Sequence, residues 1–412
     1  MTNNKKCVKR KGCRVCGSKD LVLILDLGET PLANGFLSKT ELDKKEEKFP
    51  LAVYFCKECS LVQLLDVVDP KILFGKYHFM TSASKPSVDH FAKFGKELAD
   101  RFVKSKNDLI IDIGGNDGTL LNNIKGSCCV LNIEPASNIA EISEGKGIPT
   151  INDFFSSNLA KKVLDEYGKA AVISANNIIA HTDKVKDVFA GANLLLKDDG
   201  VFVFEAHWVK NLIGDGGFDQ VYHEHLCYYS LHALKRLVES SGLYINEVKS
   251  VPMQGESLRV YVGKKKESSE SVNKFLQIEK QEGIVNLETY LDFSDKVVNN
   301  AKNVKGLLVS LKSQGKKIIG YGASAKGNTL LNYFGIGVDL LDYIVDTTPL
   351  KQGLYSPGTH IPVVHPDKIK EDAPDDILIL AWNYADAIIE KERVLREKGV
   401  KFIIPVSEVK II

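Results

Sequence analysis

Short apolar runs alternate with amphipathic stretches along most of the chain. Leu109–Ile113, Val130–Ile133, Ala171–Ser174 and Val201–Glu205 read as buried strands separated by helical spacing. That alternation predicts a parallel sheet with crossover helices. Tyr244–Val251 and Ser257–Val262 read as an antiparallel pair that finishes the sheet. After a shift toward Lys, Glu, Ser and Asn at Lys264, Phe293, Val297, Ala301, Val304, Leu308 and Leu311 recur at three- or four-residue spacing. They predict a long amphipathic helix ending at Gly315. A second alternating unit follows, with strands expected at Lys317–Tyr321, Asp342–Val345, Asp376–Trp382 and Lys401–Ile404. The expected organisation is a small first domain (1–75), an α/β domain (76–265), a helical linker (266–314) and a second α/β domain (315–412).

The 412 residues exceed what one ordinary core holds. Hydrophobic residues at 44% and charged residues at 26% exclude wholesale disorder. With 54 Lys+Arg against 53 Asp+Glu, the net charge of +1 excludes a chain built to bind nucleic acid or anionic lipid along its length. No apolar stretch precedes Cys13 and no run approaches a membrane span, so a cytoplasmic monomer is expected. In a reducing compartment the eight cysteines are not read as four disulfides.

Four cysteines form two pairs, Cys13-x-x-Cys16 and Cys56-x-x-Cys59. Each pair fits a tight turn that aims two thiolates at one tetrahedral Zn²⁺. A redox dithiol would need one pair in a thioredoxin-like context, which is absent. A closed four-thiolate site leaves no open position, so the zinc is expected to be structural. Cys7, Cys128, Cys129 and Cys227 are expected to pack.

Strand Leu109–Ile113 runs into Asp112-Ile-Gly114-Gly115-Asn116-Asp117-Gly118. The spacing is wrong for a dinucleotide fingerprint, and Asp112 would repel a pyrophosphate. S-adenosylmethionine (SAM) has no phosphate, and its ammonium suits a carboxylate. Glu134, at the end of the next strand, suits a ribose diol, and Asp153 with Phe154 suits adenine. The candidate cofactor contacts are Asp112, Gly114, Asn116, Asp117, Glu134, Asp153, Phe154 and Asn176.

Polar clusters follow the later strands: Asn176-Asn177 with His181, then Tyr222-His223-Glu224-His225. Residues beyond the carboxyl ends of parallel strands line the ligand crevice. His-Glu-His lacks the helical spacing of a zincin. An extended segment would put Tyr222 and Glu224 on one face and His223 and His225 on the other, one histidine serving as base. Tyr77, in an earlier loop, can close the site.

Strand Lys317–Tyr321 enters Gly322-Ala323-Ser324-Ala325-Lys326-Gly327-Asn328 and a helix. Inward-facing amides there make an anion site. Asn328 stands where a P-loop needs Lys, which favours binding an unreactive diphosphate over ATP hydrolysis. Lys326 supplies charge, Asp346 suits a base or sugar hydroxyl, and Asn383 and Tyr384 end the third strand of the unit.

Taken together, the two knuckles, Thr30-Pro31-Leu32-Ala33-Asn34, Asp112-Ile-Gly-Gly-Asn-Asp-Gly, Tyr222-His-Glu-His225 and Tyr321-Gly-Ala-Ser-Ala-Lys-Gly-Asn328 resemble the nucleotide-sugar C-3-methyltransferases. The resemblance covers essentially the whole length. It implies a zinc-binding domain, a Rossmann-like class I SAM methyltransferase domain and a C-terminal Rossmann-like domain that binds a nucleotide sugar. The implied substrate is a dTDP- or GDP-linked 4-keto-deoxysugar on the way to a branched-chain sugar. In the implied mechanism the C4 ketone acidifies the C3 proton, His225 removes it, and the enolate takes the methyl of SAM with inversion. Tyr222 and Glu224 orient the sugar and His225, with His181 and Tyr77 near the ketone or nucleophile and Asn177 on the substrate side. Two other classes compete: a nicotinamide-dependent sugar oxidoreductase and a non-catalytic nucleotide-sugar binder.

Overall fold

The computed structural model describes residues 6–74, 80–252 and 257–412. In the N-terminal unit, β1 (Leu21–Thr30), β2 (Phe49–Cys56) and β3 (Val62–Leu64) pair antiparallel in that order. Two matching turns hold the knuckles: Gly17 donates to the Cys13 carbonyl, and Ser60 to that of Cys56. The free edge of β3 is covered by a strand from far downstream.

The central unit contains β4 (Leu109–Ile113), β5 (Cys129–Ile133), β6 (Thr150–Ile151), β7 (Ala170–Asn176), β8 (Leu196–His207), β9 (Cys227–Tyr228), β10 (Tyr244–Val251) and β11 (Ser257–Gly263). Seven of these form one sheet in the order β10-β11-β8-β7-β4-β5-β6. Strands β4 to β8 run parallel, and β11 is antiparallel to both of its neighbours. Every residue of β4 is buried, as expected of a parallel strand covered on both faces. Helix α1 (Lys85–Phe102) covers one face through Phe94 and Leu98. The missing eighth strand, β9, pairs with β3 and completes the N-terminal sheet.

The long helix α2 spans Leu287–Ser313 and buries Phe293, Val297, Val304 and Leu308, the stripe that the spacing predicts. The stretch read as a linker is a packed brace. Tyr290 lies 4.9 Å from Phe55 of β2, and Asn300 Nδ2 donates to the Pro405 carbonyl at 2.6 Å.

The C-terminal unit holds β12 (Ile318–Tyr321), β13 (Ile344–Val345), β14 (Val363–Val364), β15 (Asp376–Ile379), β16 (Lys401–Ile404) and β17 (Lys410–Ile411), ordered β14-β13-β12-β15-β16-β17. Only β17 is antiparallel. Helix α3 (Ala325–Phe334) follows β12. Two strands are shorter than expected: β13 keeps only Ile344–Val345, and past β15 residues Trp382–Tyr384 form a 3-10 turn. No helix among the described residues is long and apolar enough to cross a membrane.

Candidate active site

The sulfurs of Cys13, Cys16, Cys56 and Cys59 lie within 4.8 Å of one another, with Cys13–Cys59 and Cys16–Cys56 both at 3.5 Å. All are free thiols. Four soft sulfurs at this spacing fit one tetrahedral zinc with Zn–S bonds of about 2.3 Å. Of the remaining cysteines, Cys128 and Cys227 are buried and Cys7 is half-buried. Cys129 departs from the packing expectation: it starts β5 with its side chain exposed.

At the end of β4, Asp112 is buried and accepts a 2.6 Å hydrogen bond from Ser174 of β7. Burial pushes its pKa up to about 7, with Glu134 and Glu205 adding to the rise. The turn then runs too close to the Asp112 carboxylate for any side chain at Gly115. Gly114 and Gly118 take positive φ, of 64° and 72°. Glu134, raised by burial, is oriented by the amides of Asn116 (3.0 Å) and Ala136 (2.9 Å). Asp117 faces into the protein, wholly buried, with Thr119 Oγ1 and the Ser82 amide donating to it and Lys146 paired at 3.1 Å. Asn116 Oδ1 receives the Thr81 amide, so residues 81–82 are docked on the turn. Asp153 Oδ1 accepts from the Phe154 amide, and Phe154 is 43% exposed. Buried Asn176 Oδ1 and Asn177 Oδ1 have no hydrogen-bond partner. Orphaned acceptors at strand ends, beside a turn with no room for a Cβ, fit a polar ligand laid against the backbone.

Residues 221–226 are not extended. Tyr222–Glu224 make a tight turn in which the His225 amide returns to the Tyr222 carbonyl. The alternation that would put His223 and His225 on one face is therefore replaced by an i, i+3 meeting of Tyr222 with His225. Tyr222 Oη and His225 Nε2 are 2.8 Å apart, and His225 Nδ1 lies 2.9 Å from the Gln220 carbonyl. A carbonyl only accepts, so Nδ1 carries the proton and the Nε2 lone pair meets the phenol. His225 is not an ordinary imidazole. Burial, then His181 and His207, hold it well below the usual range.

His223 turns to the N-terminal unit, its Nε2 donating to the Phe49 carbonyl at 3.2 Å. The rival base is thus separated from His225. His181 lies 4.9 Å from the His225 ring, and burial lowers it to about 4. Glu224 is buried with a raised pKa and accepts from Asn34 Nδ2 at 2.7 Å. Tyr77 lies outside the described residues.

Helix α3 closes this region from both of its ends. Phe218 stacks on Phe334 at 5.1 Å, and Trp382 Nε1 donates to buried Asp219 at 2.6 Å. Asn328 Nδ2 donates to the Ala33 carbonyl, so Ala33 and Asn34 join α3 to Glu224. Ser324 caps α3 by accepting from the Gly327 amide. Burial lowers the pKa of Lys326, whose charge reaches both Asp219 and His225. The Ala323 amide is already given to Asp346, whose other oxygen takes the Thr348 amide, so Asp346 braces the loop. Asn383 is half-buried and Tyr384 is 60% exposed at the rim.

Sequence reasoning missed four contributors. His207, 5.5 Å from His225, ends β8 and follows the strand-end rule directly. Lys351, buried and donating to the Ala323 carbonyl at 2.7 Å, joins the same loop with no local motif to mark it. Gln220 acts through its backbone, and Asn34 through tertiary contact. A cleft of about 1030 Å³ on the C-terminal unit, lined by His365, Lys370, Lys391 and Leu395, contains none of the site residues.

A methyltransferase-domain model matches residues 89–248, and with this sheet and turn the protein is a SAM-dependent methyltransferase. A zinc binding domain matches residues 13–74 and a C-methyltransferase C-terminal domain matches 252–407. C-methyltransferase NovU of Streptomyces niveus is 32% identical over 404 residues, covering 97% of this chain and 96% of its own length. The chain belongs to this C-methyltransferase family. Among solved structures, a SAM-dependent methyltransferase from Clostridium acetobutylicum matches 43% of this chain and 91% of its own (16% identity, TM-score 0.36). Magnesium protoporphyrin IX methyltransferase from Synechocystis matches 47% and 88% (10% identity, TM-score 0.33).

Proposed function

We propose that the protein methylates C3 of a dTDP- or GDP-linked 4-keto-deoxysugar, starting with base-assisted removal of the C3 proton. The observation that carries this reading is the Tyr222–His225 pair, in a chain that also carries an acid-lined turn and a lysine-flanked one. SAM, when bound, supplies an electrophilic methyl group. Asp112 would meet its ammonium, Glu134 its ribose diol, and Asp153 with Phe154 its adenine, while Gly114 and Asn116 shape the backbone approach and Asn176 offers a free acceptor. Asp117 keeps the turn in place. Lys326, Lys351 and the backbone amides of Ala325 and Lys326 at the start of α3 suit a diphosphate, with Asn383 and Tyr384 at the sugar or base.

The C4 ketone acidifies the C3–H bond. When that bond breaks, its electron pair moves toward the ketone oxygen. Because the Nε2 lone pair already accepts from Tyr222, the C3 proton passes to the Tyr222 oxygen as Tyr222 gives its own to His225. Gln220 then stabilises the imidazolium through Nδ1–H. A buried imidazole is a weak base, so stabilisation of the enolate must supply the rest. His181, neutral through burial, can donate to that oxygen without first losing a proton to solvent. Asn177 is an acceptor for a sugar hydroxyl, and Glu224 fixes the turn through Asn34. Tyr77 is assigned to the ketone or the nucleophile by resemblance.

The test is incubation with dTDP- and GDP-4-keto-deoxysugars in D₂O without SAM, followed by SAM. Mass spectrometry is expected to find one deuterium at C3 and then a methyl at the same carbon. Absence of both with every 4-keto sugar nucleotide, alongside methylation of another carbon acid, would overturn the reading.

A further inference from the structure

We infer that Arg14, between the first two zinc-coordinating cysteines, is a positioning residue that fixes the separation of His181 and His225. Its side chain is fully buried within the turn that carries Cys13 and Cys16. Nε donates to Asp183 Oδ1 at 3.0 Å, two residues beyond His181. Nη1 reaches the Leu226 carbonyl at 3.3 Å, one residue beyond His225, as well as the Leu64 carbonyl. One rigid guanidinium therefore grips the chain just past each imidazole. The same two segments are tied directly, because the Leu226 amide donates to the Ala180 carbonyl at 2.7 Å. On the other side Gln63 holds Arg14 by accepting from its amide (3.1 Å) and from Nη1 (3.3 Å), and Arg10 adds a two-oxygen contact to Asp183 at 2.9 and 3.0 Å.

The planar fork matters here. A lysine at this position offers a point charge on a flexible stem and cannot span Asp183 and Leu226 together. Displacements of about 1 Å at a reacting group cost on the order of 100-fold in rate. The first unit thus contributes geometry to the reaction centre while its metal stays closed to chemistry.

The inference rests on His181 and His225 forming the reaction centre, so its test includes a readout that needs no sugar. Full-length, zinc-loaded protein labelled with ¹⁵N-histidine is compared with Arg14→Lys. Zinc content and the SAM dissociation constant are expected to stay the same, while the ring nitrogen resonances of His181 and His225 move and that of His232 does not. With the accepted substrate, kcat is expected to fall about 100-fold at unchanged KM. Unaltered turnover, or lost turnover with both imidazole signals unmoved, would overturn it. Should Arg14→Lys lose zinc, Asp183→Asn tests the same contact from outside the metal unit. It is expected to lower kcat and move the same two signals, and an unchanged kcat would again overturn the inference. A protein inactive on every 4-keto sugar nucleotide defeats the proposed function alone, because the imidazole shifts are read without substrate.

Discussion

Both α/β units send their first strand into a small-residue turn and a helix, yet the two turns are electrically opposite. At the end of β4, Asp112 and Glu134 present carboxylates whose pKa values burial raises, and Lys146 is bound to Asp117. At the end of β12 Asp346 is consumed by two backbone amides, buried Asp219 accepts from Trp382, and Lys326 and Lys351 flank the loop with lowered pKa values. The shared geometry delivers only a close backbone approach. The side chains brought in from neighbouring strands decide whether the guest is a cation-bearing SAM or an anion.

The sharpest test of that contrast is its claim that chemistry belongs to the first unit alone. His225→Asn is expected to lower turnover by ~10²–10⁴ and leave both ligands' dissociation constants unchanged. Tyr222→Phe is expected to follow it closely in C3 exchange. Full exchange in Tyr222→Phe would mean that His225 meets the carbon directly. Next in size, Glu134→Ala is expected to weaken SAM by ~2–3 kcal/mol without touching nucleotide affinity. Lys351→Met is expected to do the reverse, and calorimetric loss of both ligands in either variant would erase the distinction.

A pH effect follows from Asp112. Its pKa in the free protein is about 7, and a ligand ammonium favours the ionised form, so binding lowers that pKa. SAM affinity is expected to rise with pH through about 7 and to fall as pH drops below it. Calorimetry near pH 7 in buffers of different ionisation enthalpy is expected to detect proton release; none would argue against the contact. The smallest effect is assigned to Phe154, whose half-exposed ring is expected to contribute ~0.5–1.5 kcal/mol to adenine binding, read as the Phe154→Ala loss.

Much of this was legible because periodicity reports burial. Strands β4 and β16 and the stripe on α2 fell where spacing put them, since each buries a continuous apolar set. The two-residue strands β6, β9, β13, β14 and β17 were partly or wholly missed because so short a segment shows no alternation. The four cysteines were readable from spacing, which a shared metal constrains directly. His225 was readable as a residue but not as an environment. Its turn, its lowered pKa and its link to Gln220 come from packing against α3 and β3, which no local pattern records. Lys351, and the contact that Asn34 makes, were hidden for the same reason: their partners are remote in sequence.

Strand β9 has a consequence for the order in which the molecule is built. The metal-binding segment is made first, but its sheet is finished only when Cys227–Tyr228 pairs with β3. On the ribosome the nascent chain therefore carries an open edge at Val62–Leu64, with apolar side chains and unpaired amides exposed to other chains. Closing so long a loop is slow compared with local hairpin formation. The sequence-defined zinc module is thus expected to depend on the later strand to finish its sheet. Expressed by itself it is expected to self-associate, and it should become monomeric only when the later segment is present in the same chain.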